Sequence, residues 1–119
     1  MSSRVFNRYG HKVHSSKTYG VLSIEEAELL LKKDVLRICH GVNKMTCVRL
    51  LQNKYDAIVS FVFNVGLGAY QRSILRLKIN RNDHIEVPSE IRKWVYVGLN
   101  KSKGLIKRRE AEALLYQIQ

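Results

Sequence analysis

The sequence predicts a mainly α-helical protein, and three observations support this fold class. Apolar residues make up 45% of 119 residues, which is enough for one domain with one hydrophobic core. A helix-capping motif precedes apolar residues at helical spacing, and a second strongly apolar segment ends at two glycines. We therefore expect a single domain over residues 1–119, made of an irregular segment at 1–22 and a helical lobe at 23–119.

The first helix is predicted from Ser23-Ile24-Glu25-Glu26. The Ser23 hydroxyl can accept the amide of Glu26 while the Glu26 side chain reaches back, which is a capping box. Gly41 is predicted to end this helix. Its apolar face is expected to comprise Ile24, Ala27, Leu31, Val35 and Ile38.

Further helices are predicted from the same kind of pattern. The segment 51–66 reads as the most apolar helix, with Ala57, Ile58, Phe61, Val62 and Val65 on one face and a break at Gly66 and Gly68. A third helix is expected over about 69–79, followed by a turn at 80–83. Pro88 suits the start of a fourth, ending at Gly98. After a loop at 99–103, the last helix begins near Gly104.

The charge balance is 21 basic against 10 acidic residues, a formal net charge of +11. Such a charge favours polyanionic partners, including nucleic acid, anionic lipid and bacterial envelope polymers, without choosing among them. The densest basic stretch contains Lys101, Lys103, Lys107, Arg108 and Arg109, and an ordinary solvated face explains it equally well. A basic nucleic-acid-binding module remains the alternative function, although no recognition motif of that class is apparent.

Cysteine usage and apolar runs exclude several classes. Cys39 and Cys47 do not make a disulfide framework or a metal-binding spacing, so we expect two buried or half-buried thiols and no metal or cofactor. No apolar run is long enough to cross a bilayer. No secretory signal pattern is visible, so synthesis in the cytoplasm is expected.

Three segments together resemble a known family. They are Arg8-Tyr9-Gly10-His11; the stretch QNKYDA at 52–57 running into SFVFNVG at 60–66; and Lys93-Trp94-Val95 followed by GLIKRREAE at 104–112. In this order they resemble the phage-type lysozymes (endolysins) of glycoside hydrolase family 24. The resemblance implies a lysozyme-like α+β fold with a glycan groove between two lobes. It also implies a target in the bacterial cell wall, peptidoglycan, hydrolysed at the β-1,4 bond between N-acetylmuramic acid and N-acetylglucosamine.

The catalytic positions implied by the resemblance are not filled in this chain. The family carries a Glu, then an Asp or Cys, then a Thr three residues before the Tyr of its Tyr-Gly-His turn. Counted back from Tyr9, the Thr position holds Phe6 and the two acid positions fall before Met1. Since glycoside hydrolysis needs a protonated carboxyl group and a second assisting group, we expect a truncated or degenerate member with little or no muramidase activity. Loss of the family's first helix also predicts self-association through the apolar surface it leaves open.

No other acidic residues replace the missing pair convincingly. Glu25 with Glu28, and Glu86 with Glu90, have the spacing of ordinary solvated helix faces. Asp56 is expected to be a charge near a helix start. We therefore identify no catalytic residue.

The substrate-binding residues are predicted from the resemblance, each with a structural alternative. Tyr9 and His11 belong to the family turn, where His11 is more simply a hydrogen-bonded turn residue. Asn64 is placed to face a sugar or to cap helix carbonyls, and Trp94 to stack on a sugar or to join the core. Arg108 and Arg109 are placed to meet peptidoglycan carboxylates. Alternatively, one of the two arginines pairs with Glu112 across a helical turn.

Overall fold

The computed structural model describes residues 23–118, which form a mainly helical arrangement with one small antiparallel hairpin, as the predicted α+β class requires. The helices and strands are α1 (Ile24–Met45), α2 (Gln52–Val65), α3 (Leu67–Gln71), α4 (Ile74–Asn80), a 3-10 turn (His84–Glu86), α5 (Val87–Arg92), β1 (Tyr96–Val97), β2 (Asn100–Lys101) and α6 (Lys103–Gln117). The predictions for residues 1–22 lie outside the described residues.

Helix α1 begins as predicted but runs further. The capping box is present, because the Glu26 N–H donates to Ser23 Oγ at 3.0 Å and the Ser23 N–H donates to Glu26 Oε1 at 2.9 Å. The expected end at Gly41 is wrong, since the helix continues to Met45. Gly41 is buried where Leu67 crosses the helix, and a Cβ added there would lie 2.4 Å from Leu67 Cδ2. The glycine therefore permits close packing within a continuing helix.

Only part of the predicted apolar face of α1 reaches the core. Ile38 is buried, whereas Ile24 is 76% exposed and Val35 is 37% exposed. The buried residues of α1 therefore all lie in its C-terminal half.

Helix α2 lies at the centre of the lobe, against α6 and α1. Its predicted face is confirmed, with Ala57, Ile58, Phe61 and Val62 fully buried and Val65 packed against them. Gly66 ends the helix as predicted. Its φ of 99° is one that L side chains rarely adopt, and its N–H donates to the Val62 carbonyl at 2.7 Å.

The predicted third helix is two short helices, α3 and α4. Ser73 separates them, because its hydroxyl accepts the Arg76 N–H at 3.0 Å and donates to the Tyr70 carbonyl at 2.7 Å. This serine therefore caps the start of α4. Because neither glycine nor proline stands at the break, the apolar periodicity predicted one continuous helix there. The turn expected at 80–83 is present, with Asn82 at a φ of 62°.

The predicted fourth helix is too long in its C-terminal half. Helix α5 ends at Arg92, and a hairpin follows in which Tyr96 pairs with Lys101 and Val97 pairs with Asn100. Gly98 stands in its two-residue turn with a φ of 63°, a value that glycine adopts without strain. Helix α6 begins slightly earlier than expected, at Lys103, where the Ser102 hydroxyl accepts the Leu105 N–H at 3.2 Å.

The core is one cluster of buried side chains from all the helices. Its members are Ile38, Val42, Ala57, Ile58, Phe61, Val62, Tyr70, Leu75, Ile79, Val87, Ile91, Ala113 and Tyr116. Both cysteines are free. Cys39 is half-buried as expected, but Cys47 is exposed, because it lies in the segment between α1 and α2.

Candidate functional site

Two of the predicted binding residues, Asn64 and Trp94, line one cavity. This cavity, here called the Trp94 cavity, has a volume of about 430 Å³. It is formed where the end of α2, the segment after α5, β1 and the start of α6 meet. The lining residues are Asn64, Val65, Lys93, Trp94, Tyr96, Leu105 and Arg109. A half-open site with an indole, an amide and cationic groups suits an amphipathic ligand such as a sugar carrying carboxylates.

Trp94 packs against the core and also borders a cavity. Its ring meets Phe61 edge to face, with centroids 5.4 Å apart and planes at 89°. The side chain is half-buried and packed against the core, yet it also lines the Trp94 cavity. Packing against the fully buried Phe61 holds the indole in one orientation, which prepares it for stacking on a ligand.

Asn64 is exposed on the last turn of α2. Asn64 does not cap the helix. The Val62 carbonyl accepts its hydrogen bond from the Gly66 N–H, and the Asn64 amide forms no hydrogen bond within the described residues. The amide is therefore open to a ligand in the Trp94 cavity, where it offers two donors and one acceptor oxygen.

Arg109 is not a surface residue. Its side chain is 1% exposed, and it forms a buried ion pair with Glu112, as one sequence alternative predicted. Arg109 Nε lies 2.8 Å from Glu112 Oε1 without hydrogen-bond alignment, while Nη2 donates to Oε2 at 3.2 Å. The guanidinium also lies 5.1 Å from the centroid of the Phe61 ring.

The polar network around Arg109 is only partly satisfied. The Ser60 hydroxyl donates to Glu112 Oε2 at 2.6 Å, but Arg109 Nη1 is buried with no hydrogen-bond partner among the described residues. Burial raises the pKa of Glu112, and the Ser60 hydrogen bond and Arg109 oppose that rise. Arg109 also lines the Trp94 cavity, although its side chain is only 1% exposed.

Arg108 faces a different cavity from Arg109. It is exposed and borders a groove of about 410 Å³ between α1 and α2. This α1–α2 groove is lined by Leu31, Val35, Cys39, Tyr55, Asp56, Val59, Ser60, Phe63 and Arg108. Burial and the neighbouring Cys39 thiol raise the pKa of Tyr55 to about 12, so its hydroxyl stays neutral. The structure thus separates the two arginines that the sequence placed in one site.

All ten acidic residues of the chain lie between Glu25 and Glu112 and are described by the structure. Three of the four residues in the candidate carboxylate pairs are exposed, as the sequence indicated, whereas the Glu90 side chain is 13% exposed. Glu86 pairs with Lys78, which lowers the pKa of the Glu86 carboxyl, and Glu90 lies 2.9 Å from Lys93. Glu25 and Glu28 are exposed on the first turns of α1, and Asp56 accepts a hydrogen bond from Gln52 at 2.7 Å.

Glu112 is the one carboxyl group that the lobe buries. It accepts a hydrogen bond from Ser60 and forms an ion pair with Arg109 inside the lobe. None of the ten carboxyl groups lines the Trp94 cavity, where a general acid for a bound glycan would have to stand. The predicted residues Phe6, Tyr9 and His11 lie outside the described residues.

Two residues that line the Trp94 cavity, Lys93 and Tyr96, were not predicted as binding residues. The hairpin brings Tyr96 to the cavity, and the sequence had indicated a helix there. Glu112 follows Arg109 at a spacing of three, a signal that indicates a pair but not its burial. Within residues 23–118, no group of three potential metal ligands and no helix able to cross a membrane are found.

Solved structures with the same arrangement define the class of protein. The muramidase domain of SpmX from Asticaccaulis excentricus superposes with a TM-score of 0.74 at 31% identity, covering 82% of this chain and 69% of that one. An endolysin from Escherichia coli O157:H7 phage FAHEc1 also superposes with a TM-score of 0.74, at 32% identity over 81% and 63% of the two chains. The fold is therefore the lysozyme-like α+β fold.

The particular family follows from the sequence comparisons. The phage lysozyme family model matches residues 6–112, and the chain belongs to this family. An endolysin of Bacillus phage B103 is 40% identical over 93% of this chain, and one of Acyrthosiphon pisum secondary endosymbiont phage 1 is 38% identical over 92%. The chain spans 41% of the length of the first relative and 77% of the second.

Proposed function

We propose that this chain acts on bacterial peptidoglycan and binds its glycan in the Trp94 cavity. The observation that carries the proposal is the juxtaposition of Trp94 and the open amide of Asn64 in one cavity. The indole offers a stacking surface for a sugar ring, and the amide hydrogen-bonds to sugar substituents. The family match supports peptidoglycan as the substrate class and the cell wall as the place of action.

The family reaction, cleavage of the bond between N-acetylmuramic acid and N-acetylglucosamine, requires a carboxylic acid at the cleft. Since no carboxyl group of these 119 residues lines the Trp94 cavity, we propose that this polypeptide alone hydrolyses peptidoglycan weakly or not at all. General acid catalysis contributes roughly 10²–10⁴-fold to such reactions, so its loss would leave little activity. The role proposed for the chain is then recognition of the glycan.

Binding is tested by co-sedimentation of the purified chain with insoluble peptidoglycan. Asn64→Ala and Trp94→Leu should each weaken retention by roughly tenfold, which corresponds to about 1.4 kcal/mol. Asn43→Ala is a matched control, because Asn43 is exposed on α1 and lines neither cavity. Equal retention of all variants, after equal unfolding temperatures are verified, would reject the Trp94 cavity as the glycan site.

Hydrolysis is tested separately with cell-wall suspensions. The chain is compared with a version that carries Phe6→Thr and a grafted segment supplying the family's Glu and Asp ahead of Tyr9. We expect only the graft to clear the suspension, which would show that the lobe presents substrate correctly. Clearing by the unmodified chain would overturn the proposal of weak activity, and Glu25, Glu28 and His11 would then be the residues to mutate.

The chain is also proposed to associate with a second copy through the α1–α2 groove. The groove is lined mainly by apolar side chains, and one of them, Val35, is 37% exposed. Burial of such a face favours association by roughly 25 cal/mol per Å² of apolar area. Sedimentation velocity should show a concentration-dependent dimer that Val35→Asp and Val59→Asp abolish, whereas a monomer at every concentration would exclude it.

A further inference from the structure

The outer face of α1 carries a pattern that neither the core nor the glycan site uses. Leu29 is 54% exposed and Leu36 is 68% exposed, although both are large apolar residues. They are seven residues apart, so they lie on the same side of the helix. Ile38 and Val42, which are buried in the core, lie on the opposite side. No packing requirement within the described lobe therefore accounts for these leucines.

Cationic side chains flank the two leucines on the same face. Lys33, Arg37 and Lys44 are exposed and fall within an arc of roughly 100° around the Leu29–Leu36 line, given about 100° per residue. Residues 29–44 extend over roughly 22 Å of helix axis. We call this surface, comprising Leu29, Lys33, Leu36, Arg37, His40 and Lys44, the outer α1 face.

Acidic groups do little to neutralise the outer α1 face. Asp34 lies at its edge with a carboxylate oxygen 4.0 Å from Arg37 Nε, a distance typical of a weak surface pair. Glu25, Glu26 and Glu28 lie in the first turns of α1, before the stretch begins. Glu26 is occupied by the capping box. The face therefore combines a net positive charge with protruding apolar side chains.

We propose that the outer α1 face is a docking surface for an anionic phospholipid bilayer. Cations attract the negatively charged headgroups, and exposed leucines gain by entering the boundary between headgroups and acyl chains. A nucleic acid or another polyphosphate would match the charge but would offer the leucines nothing, which is why lipid is favoured. No residue of α1 lines the Trp94 cavity, so docking through the outer α1 face does not occupy the proposed glycan site.

The test uses the full 119-residue chain and sedimented vesicles of phosphatidylcholine, alone or with about one-third phosphatidylglycerol. We expect binding to the mixed vesicles that weakens with salt, and little binding to phosphatidylcholine alone. Lys33→Gln with Lys44→Gln should reduce affinity by roughly tenfold or more, since each cation near the surface contributes about fivefold. Leu29→Ser with Leu36→Ser should reduce it severalfold at unchanged charge.

Matched controls separate the face from overall charge and overall hydrophobicity. Lys103→Gln with Lys107→Gln removes the same charge from exposed positions of α6, and Ile74→Ser with Leu77→Ser removes exposed apolar groups from α4. Both controls should bind vesicles nearly as the unmodified chain does. Equal losses in the charge control would show binding by net charge alone and would overturn the proposal.

The same experiments distinguish lipid binding from binding of a polyphosphate such as DNA. If the Leu29/Leu36 variant keeps full vesicle affinity while duplex DNA displaces the chain from vesicles, the face takes polyphosphates and the lipid proposal is wrong. Peptidoglycan retention, measured in parallel, should be unchanged in the outer-face variants. The two proposals can therefore fail independently.

Discussion

Arg109 and Glu112 form an ion pair inside the lobe, with Arg109 Nε 2.8 Å from Glu112 Oε1 and both side chains at most 3% exposed. A buried pair of this kind contributes little net stability relative to an apolar pair, but removing one partner leaves an uncompensated charge. Here the pair also holds the guanidinium against Phe61, which in turn orients Trp94. The same contact therefore links core packing to the proposed glycan site.

Glu112→Gln should destabilise the protein by about 3 kcal/mol, because it leaves the Arg109 charge buried without its counter-ion. The measurement is urea unfolding near neutral pH. Glu110→Gln is the control, since Glu110 pairs with Arg92 at the surface, and it should cost less than about 1 kcal/mol. A similar loss in the free energy of unfolding for both variants would show that water hydrates the Arg109 charge once Glu112 is removed.

Stability should fall on mild acidification because of His84. Burial and then Lys54 lower the pKa of His84 below its ordinary 6.5, while its Nδ1 lies 2.8 Å from the Tyr116 hydroxyl. The unfolded chain therefore binds more protons than the folded chain between the two pKa values, so the free energy of unfolding rises with pH there. The stabilisation is present above pH 6.5 and is lost as the pH falls toward the folded value.

The matching measurement is urea unfolding at several pH values between about 5 and 7.5, around the ordinary histidine pKa. His84→Gln should show a flatter profile over this range than the unmodified chain. Glu112 contributes in the opposite sense, because a raised carboxyl pKa lowers stability as pH rises. The difference between the two chains isolates His84, and parallel profiles would contradict the expectation.

Gly41→Ala should destabilise the protein by about 1–2 kcal/mol, even though alanine is the better helix former. The new Cβ would lie 2.4 Å from Leu67 Cδ2 and 3.0 Å from its Cγ, so the helix crossing must open. Gly104→Ala in α6 meets only Ser102 Oγ, at 3.8 Å, and should be neutral or stabilising. Thermal unfolding compares the two, and recovery in Gly41→Ala with Leu67→Ala would confirm the cause.

Ser73→Ala should cost about 1–2 kcal/mol, since it removes the cap of α4 and a buried hydrogen bond to the Tyr70 carbonyl. Ser89→Ala is the matched control, because the Ser89 hydroxyl is exposed and bonds to the Glu86 carbonyl at 2.9 Å. Urea unfolding should show a clearly larger loss for Ser73→Ala. If the two serines proved equivalent, the break between α3 and α4 would have to arise from packing alone.

Local signals in the sequence determined several elements of this protein. The capping box at Ser23 and Glu26, the glycine end at Gly66 and the apolar face of α2 were all predicted, because each depends on residues within one or two helical turns. The family was also indicated by short segments in order, and the family match confirms it. The pairing of an arginine with Glu112 was one of the alternatives read from its spacing.

Other features were decided only by the tertiary structure. Gly41 looked like a helix end but accommodates Leu67, which is distant in sequence, and the fourth predicted helix gives way to a hairpin. Arg108 and Arg109 are adjacent in sequence, yet the packing of α6 on α2 exposes one and buries the other. Periodicity along one helix states which residues share a face, whereas burial depends on which neighbouring elements cover that face.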